Sequence, residues 1–261
     1  MNYSELLQSM KQEENGWTAL MTEDWLQGRS AFGGIQAAIA VKAMRHLVSE
    51  EMPLRSLQTT FIAPVPPGTF RVTAQVLRSS KNTTHVEARL LEGDKILALL
   101  IGVFGGSRPS KIIRVPQQSE VVCDKPVELR FIPGVVPNFT QHFSAFWIRG
   151  GLPFSGNPLP EVVVEVSMKD SGFATESHIL AIADFIPPVA LSMMNTPSAG
   201  SSLTWMLEFL GDSLQSRPLE HWRIDAEMVA GQEGYTSQSV MIWGPGGEPV
   251  ALSRQSMVVF G

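Results

Sequence analysis

The sequence predicts an α+β fold made twice: two units, each with one long apolar helix wrapped by an antiparallel sheet, the two sheets continuous and both helices on the same side. Three observations carry this. The segments HVEARLLEGDKILALLIGVFG and SQSVMIWGPGGEPVALSRQSMVVFG share a strand, an acidic or Gly-rich turn, a second strand and a closing Val-Phe-Gly, which is internal repetition at two copies. Each half carries one apolar stretch of helical character among strand-like segments, and a single such helix must bury its stripe on the sheet. A chain of 261 residues with 44% hydrophobic residues suits one large domain or two of about 130.

Taken in order, a polar start, MNYSELLQSMKQEENG, precedes a short strand or strand pair over Trp17 to Leu26. Gly28, Gly33 and Gly34 then mark a loop that opens a helix from about Gly33 to Ser49. Ala37, Ala40, Val41, Met44, Leu47 and Val48 form its apolar stripe, which Gln36 alone breaks, and Lys42, Arg45, His46, Ser49 and Glu50 form its wet face. SLQTTFIAPVPPG, FRVTAQVLRSS and THVEARLLEGDKILALLIGVFG read as an antiparallel meander with a hairpin turn at Glu92 to Lys95. The pattern dissolves over SRPSKIIRVPQQSEVVCDKPVEL, so the expected domains are residues 1–110 and 130–261, with a linker over 111–129. The second unit supplies strand-like FTQHFSAFWIRGG and PEVVVEVSMKD, a helix, then SSLTWMLEFLG, HWRIDAEMVA and the closing hairpin.

That second helix holds the chain's sharpest local signal. In ILAIADFIPPVALSMM the only charge is Asp184. Burying an ionised acid without partners costs several kcal/mol or more, so such a group stays neutral, finds donors or lines a wet cleft. Pro187 and Pro188 lack the N–H groups that would bond back to Ala183 and Asp184, so a helix starting near Glu176 should break right after the acid. A carboxylate meeting free backbone groups at a helix break is the kind of local-rule violation found at functional sites.

Composition excludes several classes. Charged residues are only 17% and the net charge is −5, so nucleic acid and anionic membrane are disfavoured partners. The single cysteine, Cys123, excludes an internal disulfide framework and a multi-cysteine metal site. No signal layout and no long uncharged apolar run appears, which predicts a soluble, cytoplasmic protein; the sequons at Asn82 and Asn138 are then chance matches. There is no G-x-S-x-G elbow, Walker sequence or G-x-G-x-x-G after a strand, and His46, His85, His142, His178 and His221 form no metal set. Neither a cofactor nor a metal is expected.

The stretches GRSAFGGIQAAIAVKAM, SLQTTFIAPVPPG, HILAIADFIPPVAL, SSLTWMLEFLG, the His221–Trp222 pair and ALSRQSMV, in that order and spacing, resemble the double-hotdog acyl-CoA thioesterases, specifically the thioesterase-like relatives of bacterial acyl-CoA thioesterase II. The resemblance covers nearly the whole chain and implies a tandem hotdog fold. It also implies hydrolysis of an acyl-CoA by water held between an Asp on the second helix, a hydroxyl on the following strand and a Gln on the last strand. Those roles fall on Asp184, on Ser202 or Thr204, and on Gln255. Counting back from Phe209 places the hydroxyl at Ser202, where Thr is usual, and Thr204 stays a candidate because residues two apart share a strand face.

The expected substrate is a fatty or other hydrophobic acyl-CoA. Its phosphates would lie near Arg29, Arg108 or Arg149, and its chain in a pocket rich in Phe185, Met193, Met194, Trp205 and Met206. A backbone N–H near the helix break or at Gly33–Gly34 is expected to face the oxyanion. Gln36 is either the relic of a duplicated site or a buried amide bonded to backbone. The alternatives are a non-catalytic acyl-CoA-binding protein and a hotdog hydratase, although a hydratase places a His a few residues after its Asp, where this chain has Phe185, Ile186 and two prolines. Homo-oligomerisation of the fused unit is also expected, to cover remaining sheet edges.

Overall fold

The structure, a computed structural model, describes residues 1–123, 125–211 and 216–260. The polar start is structured. It forms a capped helix, α1 (Tyr3–Gln8), that buries Tyr3, Leu6 and Leu7, followed by β1 (Lys11–Glu13) and β2 (Gly16–Met21). A small pair, β3 (Leu26–Gln27) and β4 (Ser30–Ala31), leads into α2 (Gly33–Arg45). The meander is β5 (Leu54–Phe61), β6 (Gly68–Ser79), β7 (Thr83–Glu92) and β8 (Lys95–Gly105). Gly93, at φ 58°, leads the two-residue β7–β8 turn where the sequence placed a hairpin.

The next strands are β9 (Val127–Leu129), β10 (Phe143–Arg149) and β11 (Glu161–Met168). The second-half helix is α3 (Glu176–Ala183), short rather than long, and a single turn, α4 (Ala190–Met193), follows the prolines. The closing strands are β12 (Gly200–Phe209), β13 (Trp222–Gln232), β14 (Tyr235–Trp243) and β15 (Pro249–Val259). Gly261, the last residue of the sequence repeat, lies outside the described residues.

Among the described residues every pairing is antiparallel, and one 13-stranded sheet runs through both halves in the order β1-β2-β6-β7-β8-β5-β12-β15-β14-β13-β11-β10-β9. The seam is β5 against β12, where Leu57 faces Leu207. Fusing the halves there covers one edge of each. α2 and α3 lie side by side and run in opposite directions, since Gly34 sits beside Ala181 and Arg45 beside Glu176.

Their close approach explains the sequence of α2. Ala37, Ala38, Ala40 and Ala43 are fully buried, and a Cβ on Gly34 would stand 2.8 Å from the Ala181 Cα, so only glycine fits there. α2 ends at Arg45, short of the expected Ser49, and Leu47 beyond it is exposed rather than part of the buried stripe.

Candidate active site

Asp184 is the C-cap of α3. Its own N–H still bonds to the Leu180 carbonyl, at 3.3 Å, but Pro187 and Pro188 prevent continuation, and the side chain leaves the helix end toward the other half of the molecule. There the Gly34 N–H, in the first turn of α2, donates to Asp184 Oδ2 at 2.8 Å. First-turn amides of a helix have no partner within it, and with the helix dipole they favour an anion. A Cβ on Gly33 would lie 2.6 Å from the same Oδ2, so glycine at that position is a condition of the contact.

The other carboxylate oxygen faces the last strand. Gln255 Nε2 donates to Asp184 Oδ1 at 2.8 Å and to Ser202 Oγ at 3.1 Å, which uses both of its hydrogens. Gln255 is only 4% exposed. Beneath it Gln238 is fully buried. The Gln238 Nε2 stands 3.5 Å from Gln255 Oε1, and its Oε1 accepts from the Val189 N–H at 3.0 Å. Val189 is the first residue after the two prolines that has an N–H to give.

The carboxyl of Asp184 is thus held by neutral donors only. Its burial pushes its pKa up from 3.8 to about 7, against the smaller downward pull of the Gln255 and Gly34 hydrogen bonds. A carboxylate that titrates near neutrality is a competent proton acceptor at neutral pH.

A cavity of about 270 Å³ opens onto this group, lined from both halves. Arg29, Gly33, Gln36, Phe61 and Ile62 come from the first; Asp184, Ile186, Ser202, Leu203, Gln255 and Met257 from the second.

Of the expected site residues, the structure brings Asp184, Gln255 and Ser202 together. It does not bring Thr204. β12 carries a bulge between Ser202 and Thr204, so alternation is broken there: Ser202 faces inward with Trp205 and Leu207, while Thr204 is exposed and does not border the cavity. The premise that residues two apart share a face fails at that one step. Arg29 lies at the cavity's edge, whereas Arg108 donates to Thr83 Oγ1 at 2.7 Å and Arg149 pairs with Glu161 at 3.0 Å, both away from it. None of Phe185, Met193, Met194, Trp205 and Met206 lines the cavity. Phe185 instead packs against Phe143, with ring centroids 5.0 Å apart, and the Trp205 indole N–H bonds to Ser253 Oγ at 2.7 Å.

Gln36 is buried and donates to the Ala31 carbonyl at 2.7 Å, a backbone-bonded amide at the cavity wall. Sequence reasoning missed Gln238. Its signal was present, since Gln238, Val240 and Ile242 alternate on one strand face and both aliphatic members are buried. Among the described residues no group of three or more His, Cys, Asp or Glu side chains is placed to hold a metal ion, and no helix is long and apolar enough to cross a membrane.

A continuous antiparallel sheet around paired helices, running through two fused halves, defines a double-hotdog protein. Residues 21–105 match the acyl-CoA thioesterase N-terminal domain and residues 118–259 the acyl-CoA thioesterase C-terminal domain; the chain belongs to the acyl-CoA thioesterase family and is a thioesterase. A search of curated proteins finds no match. Among solved structures, the chain is similar to a conserved hot dog fold protein of unknown function from Alicyclobacillus acidocaldarius, with TM-score 0.87, 18% identity and 99% and 98% of the two chains covered. It is also similar to a tesB protein from Mycobacterium avium subs paratuberculosis, with TM-score 0.80, 14% identity and 99% and 98% covered. A third is the acyl-CoA thioesterase II TesB2 of Mycobacterium marinum, with TM-score 0.69, 14% identity and 99% and 98% covered. At these identities the likeness speaks for the fold.

Proposed function

We propose that this thioesterase hydrolyses a fatty or other hydrophobic acyl-CoA, with Asp184 as general base for direct attack of water on the thioester carbonyl. The observation that carries this is the carboxyl of Asp184 itself, facing a cavity, paired with no cation and ionising near neutrality. A thioester is electrophilic enough for water to attack without a covalent enzyme intermediate, provided the water is oriented and partly deprotonated and the oxyanion meets donors. Water sits between the free lone pairs of Asp184 and the Ser202 hydroxyl, which Gln255 holds beside the carboxylate. Asp184 takes its proton as the oxygen attacks the carbonyl carbon; the tetrahedral intermediate then collapses, the C–S bond breaks, and Asp184 returns the proton to the sulfur, so that CoA leaves as the thiol and the free acid remains. The N–H of Gly33, the first of α2 and at the cavity wall, faces the oxyanion, backed by the helix dipole. Phe61, Ile62, Ile186, Leu203 and Met257 receive the acyl chain, and Arg29 at the edge meets the CoA phosphates.

Free-thiol release from a panel of acyl-CoAs of increasing chain length tests this. Turnover with an optimum among hydrophobic chains is the expected result. Binding without thiol release at any length would instead indicate a protein that holds acyl-CoA without cleaving it.

A further inference from the structure

The amide of Gln255 works only one way round. With Nε2 toward Asp184 it stabilises the carboxylate; rotated by half a turn it would turn a carbonyl oxygen on the carboxylate and favour the protonated acid. Nothing in Gln255 itself selects between the two, since its oxygen and nitrogen ends are alike in shape. The selection comes from deeper in the sheet. A backbone N–H can only donate, so the end of Gln238 facing Val189 must be its oxygen, at 3.0 Å. The Gln238 nitrogen therefore faces Gln255, 3.5 Å from Oε1, and the Gln255 nitrogen is left for Asp184 and Ser202. Gln238 and Gln255 are directly opposite across β14 and β15, which keeps the two amides in reach.

We infer that Gln238 is a positioning residue: it carries the polarity of the Val189 N–H, exposed by the proline break, to Gln255 and so fixes which end of that amide meets Asp184. The inference rests on Asp184 being the base of the proposed reaction, but the direction of the relay is set by donors and acceptors alone. The same two prolines that release Asp184 from its helix thereby also supply the donor that orients its partner.

The test uses Gln238→Met, which keeps side-chain length and removes both amide ends, and Gln238→Leu, which removes them with a shorter side chain; neither places a charge near Asp184. Two readouts are taken from each, with thermal unfolding confirming a folded protein. The first is titration of the Asp184 carboxyl carbon by NMR, assigned by its loss in Asp184→Asn, which needs no substrate. It is expected to move upward by about one unit in either variant. The second is the pH profile of kcat/KM for acyl-CoA hydrolysis. A one-unit shift from about 7 lowers the ionised fraction about fivefold at pH 7 and hardly at all at pH 9, so the deficit should fade with rising pH while KM stays put. In a Gln255→Ala background, adding Gln238→Met should change neither readout. An Asp184 titration unchanged in both folded variants, or a loss of turnover equal at all pH values, overturns the inference. A shifted titration in a protein that cleaves no acyl-CoA would instead keep the relay and refute the proposed reaction.

Discussion

The two ends of the α2–α3 pair are built from equivalent positions and do opposite things. At one end α2 begins and α3 stops: Gly34 gives its N–H to Asp184. At the other α3 begins and α2 stops: Glu176 takes a two-pronged ion pair from Arg45, both contacts at 2.5 Å. The sheet beneath keeps the same register. Leu57 faces Leu207 at the seam, Gly102 stands opposite Leu57 and Ser253 opposite Leu207, and two residues further along lie Phe104 and Gln255. Behind these stand Thr84 and Gln238. Where Gln255 donates to the carboxylate, Phe104 lies under the Arg45 guanidinium, 4.6 Å from its carbon. One end is thus plugged by a cation, its carboxylate and a ring; the other leaves a carboxyl with neutral donors and a cavity. The lesson is that a duplicated frame yields one reactive acid when the opposite charge is kept from it, because a paired carboxylate is a weak base.

The largest effect is expected for Asp184→Asn, which should lower kcat by about 10²- to 10⁴-fold, the usual worth of a general base, with the fold intact. Arg45→Met should leave kcat within about twofold, although it strips Glu176 of its partner and should cost about 1–2 kcal/mol in denaturant unfolding, a figure discounted for the pair's partial exposure. Equal kinetic damage at both ends would erase the asymmetry. Gly33→Ala forces a methyl to within 2.6 Å of Asp184 Oδ2 and 3.0 Å of the Phe61 ring, so tenfold or greater loss of kcat is expected together with about 1–3 kcal/mol of stability.

A subtler effect concerns stability and pH. The folded chain holds the Asp184 proton to about pH 7 and the unfolded chain only to about 4, so ionising this group weakens the fold progressively between those values. Asp184→Asn lacks that loss, and its unfolding free energy relative to the parent should climb by up to a few kcal/mol from pH 4 to pH 8. Thr204→Val, on the outer face, should change turnover by less than about twofold, whereas Ser202→Ala should not be silent.

Much of this was legible in the residues. A lone carboxylate followed by two prolines located the helix break and its acid, and paired closing hairpins gave the duplication and the antiparallel sheet. Two things were not legible, for physical reasons. A β-bulge leaves no mark in a stretch such as SSLTW, so the choice between Ser202 and Thr204 waited on the register of β12 against β15. The cavity lining depends on how the halves meet, and apolar residues near Asp184 in sequence, such as Phe185 and Met193, turn to the core and the surface instead.

The claim that Asp184 activates the water is met most directly by the pH dependence of kcat/KM for acyl-CoA hydrolysis in the parent and in Asp184→Asn. The parent rate should rise with pH through an apparent pKa near 7 and level off, and the residual rate of the variant should show no such limb. A flat parent profile across that range, or the same limb surviving in folded Asp184→Asn, would mean that another group takes the proton.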